Sequence, residues 1–460
     1  MIIMLIFFFL IGSEPVRLSP GWEGTGRPED ELNFKGVTMD QADLELNPPS
    51  DRLNMVYFIM LLHGIGALMP WNMFITAEGY FEKYKLSSNY THDNSTNYYG
   101  AQYVASVSFA AQIPNVIFNW VNVFIPMSGS MTLRIIWGLG VQAVIFIFTV
   151  IMAMVDTSNI AVPFFWMTMA SVVILNTANG IYQNSVFGMA AKLPGKYTGA
   201  VVLGSNISGT FTSLINILTL LMAPNVRTAA IYYFITALFV LLACFDTYFA
   251  LPISRFYRYH ELLAAKEEKT RRVGRNERPP YWMIVRQCSV QLFNIFFVFF
   301  VTLALFPSCN NQKVEVSQND FVVSEKLYTS VMCFLVFNVT AMLGSLLAPI
   351  LQFPSKRFLI IPVVLRAVFI PLFLFCNYMP ANRSLPIYIN NDWIYLAIGV
   401  TMGLSSGYFS SLGMMYCPTM VDPRYAPTAG MFAAAALITG IFCGVSASNI
   451  MPYIVQINWN

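Results

Sequence analysis

Asn176, Asn179 and Gln183 recur at three and four residues inside an apolar run that includes Ile174, Leu175, Ile181, Val186 and Phe187. That spacing puts three carboxamides on one helical face. Hydrocarbon cannot satisfy their donors and acceptors, so the face must turn toward protein or a wet cavity, where it could hydrogen-bond a polar, planar solute. Gly180, Asn184 and Ser185 complete the polar set. A second stripe, Gln112, Asn115, Asn119 and Asn122 around Pro114, has the same spacing and is expected to face the same interior, as binding groups or as interhelical glue. Upstream, Pro70-Trp71-Asn72 follows Gly64 and Gly66. Proline in mid-membrane frees a backbone carbonyl beside which Trp71 could stack on a ring and Asn72 could bond its edge; a packed indole at a structural kink explains the same residues.

Ionisable groups are rare in these runs. Arg366 lies in the middle of Phe358 to Phe375, where a buried cation costs at least about 2.5 kcal/mol without a partner, so it is expected to brace an internal network. Asp246, near the end of its run, reads as reaching the interface, and His63 as a structural donor; both are the candidates for any proton coupling. Small residues spaced by four (Ser205, Gly209, Ser213; Gly399, Gly403, Gly407, Ser411; Gly440, Gly444, Ser448) predict close helix packing, with sliding between bundles as its functional extension. There is no P-loop, no paired metal-ligand spacing and no G-x-S-x-G elbow in a usable context, which argues against ATP-driven pumping and hydrolysis. No cofactor or metal is expected, and the chain does not read as an enzyme.

The elements that carry these residues are membrane spans. The 460 residues are 56% hydrophobic and only 11% charged, against about 25% charged in a soluble domain. Apolar runs at 54–77, 100–125, 133–155, 162–187, 198–223, 229–251, 283–306, 326–351, 357–378, 392–415 and 427–452 predict eleven helices, split six plus five by a basic connection. The expected layout is a tail over 1–53, a six-helix bundle over 54–251, a basic loop over 252–282 and a five-helix bundle over 283–460. Met1 to Ile11 is about half a span in length and is not counted as one. Arg255, Arg258, Lys266, Lys269, Arg271, Arg272, Arg275 and Arg278 crowd the connection, and Arg134, Lys192, Lys196, Lys356, Arg357 and Arg424 fall on its side, which places that side in the cytosol with the N-terminus. The sequons at Asn89, Asn94 and Asn382 then face away from the cytosol as expected glycosylation sites. The net charge of +3 does not suggest nucleic-acid binding, and the cysteines do not read as a disulfide framework.

The motifs resemble the equilibrative nucleoside transporter family (solute carrier family 29), with an all-α, polytopic, major-facilitator-like fold. They are Leu68-Met69-Pro70-Trp71-Asn72-Met73-Phe74-Ile75-Thr76-Ala77, Gln183-Asn184-Ser185-Val186-Phe187-Gly188, Cys333-Phe334-Leu335-Val336-Phe337-Asn338, Leu365-Arg366-Ala367-Val368-Phe369-Ile370-Pro371, and Ser406-Gly407-Tyr408 with Thr428-Ala429-Gly430. The resemblance covers about residues 54 to 455. It implies passive alternating-access transport of nucleosides and in some members nucleobases, in a lipid bilayer and with no nucleic-acid partner. By resemblance the central cavity takes Leu68, Trp71, Asn72, Ile75, Gln112, Asn115, Asn179, Gln183, Ser185, Phe334, Asn338 and Ile441, and Ile75 with Pro307 gates the outer side. The plasma membrane is preferred by default; oligomeric state is not legible.

One departure stands out. Three residues after Asn338 the family carries an aspartate, and four further on an arginine; here these are Ala341 and Ser345. Losing both together avoids stranding one buried charge, and it removes charge-assisted bonds of roughly 1.5–3 kcal/mol each. Two alternatives follow: a carrier of altered substrate, such as an organic cation or a nucleobase, or a transport-inactive binding or regulatory membrane protein.

Overall fold

The computed structural model describes residues 49–92, 96–124, 131–222, 225–274, 279–306, 328–378 and 383–457. Residues 1–48 of the tail expected over 1–53, and the sites Asn94, Asn382 and Pro307, lie outside the described residues. The described part is helical: α1 (Met55–Thr76), α2 (Tyr103–Phe124), α3 (Met131–Met154), α4 (Ala161–Ala190), α5 (Gly195–Met222) and α6 (Val226–Tyr248) precede the basic α7 (Arg255–Gly274). After it come α8 (Tyr281–Leu305), a π-helical stretch Thr329–Leu335 running into α9 (Val336–Leu347), α10 (Ile360–Leu365), α11 (Phe369–Leu374), α12 (Asp392–Tyr416), α13 (Ala426–Ser448) and α14 (Met451–Gln456).

Seven helical stretches among the described residues are long and apolar enough to cross a bilayer, so this is an integral, multi-pass membrane protein. In α3, Leu133, Trp137, Val144, Ile147 and Ile151 are exposed, whereas Ile135, Gly138, Leu139, Gln142, Phe146 and Thr149 are buried. An all-apolar outer stripe is what lipid requires. The helices left out of the seven differ for physical reasons. In α2 the four carboxamides lower the hydropathy, and in α12 glycines and serines do. The runs expected as continuous over 326–351 and 357–378 are instead interrupted, the first by the π-helix and the second by a 3-10 turn over Arg366–Val368, leaving shorter apolar helices.

Glycines set the closest approaches. A Cβ on Gly64 would overlap Val201 O, and one on Gly204 would overlap Leu61 O, so α1 and α5 meet backbone to backbone. Gly403, Gly407 and Gly344 do the same for α9 and α12, and Gly440 and Gly444 for α8 and α13. The stripes of α12 and α13 thus join neighbours within the second half of the chain as packing seams. The stripe Ser205, Gly209, Ser213 divides: Ser205 Oγ donates to Gly64 O at 3.2 Å, while Gly209 and Ser213 meet Asn338 of α9.

The end away from α7 is clipped by polar loops. Lys85, fully buried, donates to Val155 O (2.7 Å) and Thr157 Oγ1 (3.1 Å), and Tyr90 OH donates to Asp156 Oδ1 at 2.6 Å. The Tyr90 hydroxyl, then the Ser158 amide, pull the Asp156 carboxyl down to about 2. A carboxylate with a lowered folded value contributes above its unfolded value of 3.8 and loses that contribution as pH falls through about 2, so this clip is constant across neutral pH. At the α7 end, Asp51 accepts from the Val56 and Tyr57 amides and from Tyr197 OH (2.9 Å), capping α1 and tying it to the foot of α5.

Adding one methyl group tests the α1–α5 seam. Gly204→Ala is expected to destabilise the detergent-solubilised protein by roughly 1–3 kcal/mol, seen as a lower melting temperature. Gly399→Ala, with no atom within 4 Å of the added carbon, should leave melting unchanged.

Candidate functional site

The carboxamide stripes are brought together. A Cβ on Gly180 of α4 would lie 2.9 Å from Asn115 O and 3.2 Å from Asn115 Oδ1, which places α2 against α4 at that level. Seven residues on, Asn122 Nδ2 donates to Asn184 Oδ1 (2.9 Å) and Ser185 Oγ (3.2 Å), so the two helices run parallel. Arg134 Nη1 donates to Asn122 Oδ1 at 2.9 Å, and Ser185 Oγ donates to Ile181 O at 2.7 Å. Asn122, Asn184 and Ser185 are therefore spent on holding α2, α3 and α4.

The remaining carboxamides are not spent. Gln112, Asn119, Asn176, Asn179 and Gln183 are all buried, and their side-chain oxygens have no hydrogen-bond donor among the described residues. An unpaired buried acceptor costs about 1–3 kcal/mol, so these five oxygens are the acceptors of the helix pair left for a donor outside the described residues, water or solute.

Leu68, Trp71, Asn72 and Ile75 of α1 are half-buried, and Asn72 Nδ2 donates to Ser208 Oγ of α5 at 3.2 Å. On the other side, Phe334 and Asn338 are half-buried and Ile441 is buried. Asn338 Nδ2 donates to Ser213 Oγ at 3.2 Å and to Phe334 O at 2.9 Å. Ala341 and Ser345 are buried, and Ser345 is engaged twice: its Oγ accepts from Asn206 Nδ2 (2.6 Å) and donates to Gly407 O (3.1 Å). Where the family resemblance leads one to expect a charge pair, this chain has a neutral bond between α5 and α9. Asn206 is a seam residue that the sequence analysis did not single out. Its seven-residue spacing from Ser213, two helical turns, was the signal that both face one neighbour.

The pairs Asn206–Ser345 and Ser213–Asn338 run in opposite order along the two helices, so α5 and α9 form an antiparallel seam. A second seam joins α4 and α2 to α13: Asn184 Nδ2 donates to Met431 O (2.9 Å), Trp120 Nε1 donates to Thr439 Oγ1 (3.0 Å), and a Cβ on Gly430 would lie 2.8 Å from Phe187 O.

Arg366 is buried as a network anchor. It donates to Thr302 Oγ1 (2.7 Å), Met402 O (3.1 Å) and Ser405 Oγ, and Thr302 Oγ1 is 3.0 Å from Ser406 Oγ. It thereby joins α8, α12 and the break between α10 and α11. His63 Nδ1 is 2.8 Å from Tyr182 OH, whereas His63 Nε2 has no partner among the described residues. Asn89 is exposed in a short helical turn.

Solved structures of similar shape define the class. The proton:xylose symporter XylE bound to 6-bromo-6-deoxy-D-glucose matches with a TM-score of 0.57 at 12% identity, over 87% of this chain and 88% of that one. The human organic anion transporter MFSD10 matches at 0.52 and 14% identity, over 89% and 96%. The fold is thus the all-helical one of the major facilitator superfamily. The family model described as Nucleoside transporter matches residues 169–452, and human equilibrative nucleoside transporter 1 is 30% identical over 456 residues, 88% of this chain and 99% of the relative. Rat equilibrative nucleoside transporter 3 is 27% identical over 93% and 94%, and equilibrative nucleotide transporter 1 of Arabidopsis thaliana 26% over 88% and 89%. The chain belongs to the equilibrative nucleoside transporter family, a family of transporters rather than enzymes.

The seam between α5 and α9 can be measured directly. Asn206→Ala and Ser345→Ala are each expected to lower the melting temperature, and the double variant to lose less than the two single losses combined, with a coupling of roughly 1 kcal/mol. Strict additivity would show that the 2.6 Å contact carries no stability.

Proposed function

We propose that this protein is a facilitative, alternating-access carrier of nucleosides and nucleobases. The observation that carries the reading is the pair of carboxamide stripes on the adjacent helices α2 and α4, whose buried oxygens lack donors among the described residues, in a chain of this family. Relatives named as nucleoside or nucleotide transporters favour a carrier over a transport-inactive role. In this reading eleven spans, six before the basic α7 and five after it, form two bundles over 54–251 and 283–460. The N-terminal tail and α7 lie in the cytosol, and Asn89, Asn94 and Asn382 face away from it as glycosylation sites. Trp71 stacks on the base, Gln183 and Asn72 bond its edge, and Phe334, Asn338 and Ile441 close the opposite wall. Ile75 and Pro307 form the outer gate.

The two seams supply the mechanism. Asn184–Met431 and Phe187–Gly430 lie near the basic end of α4, so this arrangement is closed on the α7 side. Opening that side requires α13 to part from α4 and α2, which breaks the hydrogen bonds Asn184–Met431 and Trp120–Thr439 and a glycine contact. A net cost of about 1 kcal/mol for such a bond is small enough for thermal exchange between states.

The test is saturable uptake of radiolabelled adenosine and uridine into transporter-deficient cells. Wild-type protein is expected to carry both, and Gln183→Ala, at equal surface abundance, to lower kcat/KM by roughly tenfold or more. Absence of any saturable nucleoside or nucleobase uptake would reject the proposal.

A further inference from the structure

The segment between α9 and α10 turns its backbone inward and its apolar side chains outward. Tyr408 OH of α12 lies between Leu351 O (2.7 Å) and Phe353 O, and Tyr416 OH between Gln352 O (3.1 Å) and Pro354 O (3.2 Å), each hydroxyl donating to one carbonyl of its pair. Gln291 Nε2 of α8 donates to Lys356 O at 2.7 Å. Five carbonyls of the segment thus face donors on α8 and α12. Ile350, Leu351, Phe353 and Phe358 are all exposed, Phe353 at 72%, until buried Leu359 returns the chain to the core.

A loop that faces water has the opposite arrangement, with hydrated carbonyls and apolar groups turned in. Carbonyls served from within leave little for water to satisfy, which is the condition for backbone to enter the bilayer surface. Lys356 and Arg357 stand exposed among the apolar groups, and neither forms an ion pair among the described residues. No aspartate or glutamate occurs between residues 326 and 391. Long cationic side chains beside an apolar wedge reach the phosphate level while the wedge lies among acyl chains. The segment is at the α7 end, because Tyr416 closes α12 and the Pro423–Tyr425 turn that follows lies against α7.

We propose that residues 350–358 form a docking site for anionic phospholipid of the leaflet on the α7 side. Lys356 and Arg357 hold the headgroup phosphate, and Ile350, Phe353 and Phe358 pack on the glycerol and upper acyl chains. The orientation in the proposed function makes that leaflet the cytosolic one; the contact itself does not depend on which solute is carried. Because the tyrosines that hold the segment belong to α12, which packs on α9 through Gly344, Gly403 and Gly407, a bound lipid grips this helix pair at the bilayer surface.

Purified, detergent-solubilised protein titrated with phosphatidylserine, and separately with phosphatidylcholine, tests this by native mass spectrometry without any solute. Wild type is expected to bind phosphatidylserine the more tightly. Lys356→Gln combined with Arg357→Gln should weaken that binding by roughly thirtyfold, about fivefold per cation, at an unchanged melting temperature. Phe353→Ser should weaken both lipids alike. Equal wild-type binding of the two lipids needs no variant and would overturn the proposal. So would phosphatidylserine binding that survives the double substitution, or soluble glycerophosphoserine competing as well as the lipid, which would mark an anion site without membrane docking. Each of these outcomes leaves nucleoside transport standing, whereas absent uptake with lipid selectivity intact would reject the transport reading alone.

Discussion

Polar groups inside a hydrocarbon slab have to be satisfied by the protein or by what the protein binds. That constraint organises this molecule from end to end. Backbone carbonyls at the end of α11 are met by Arg383, which donates to Leu374 O, Cys376 O and Tyr378 O. Arg366 spreads its charge over two hydroxyls and a carbonyl. Asn122, Asn184, Asn206 and Asn338 each close a contact between helices. Buried carboxamide oxygens without a donor also occur singly at Gln142 and Asn294, but five of them gather on α2 and α4.

Architecture and site depend on each other through glycine. Because α1 meets α5 at Gly64 and Gly204, and α9 meets α12 at Gly344, Gly403 and Gly407, backbones approach without side chains between them. Rigid helix pairs of this kind can move as bodies, which leaves exchange between states to seams that hold by a few neutral hydrogen bonds. The replacement of a charge pair by Ala341 and Ser345 fits this arrangement: Ser345 completes a neutral bond between α5 and α9 where charges would demand compensation.

Much of this was legible in the sequence. The apolar runs marked the helices, and the three-and-four spacing of Asn176, Asn179 and Gln183 marked a buried face before any packing was known. Composition could not say which members of a stripe are spent. Asn184 and Ser185 look equivalent to Gln183 in sequence, yet Met431 and Asn122 consume them. Periodicity also missed the π-helical start of α9 and the 3-10 break at Arg366, because local hydrogen-bond shifts leave the apolar pattern intact. The partners of the glycine stripes were likewise hidden, since spacing names a face but not its neighbour.

The central claim is that neutral amides and hydroxyls between the helices bind the solute and that nothing but its own gradient drives it. Purified protein in liposomes, loaded with labelled adenosine until uptake stops, tests this most directly when a pH gradient or a sodium gradient is imposed. The account predicts equal concentrations inside and outside under every gradient. Accumulation above the external concentration when either gradient is applied would contradict it.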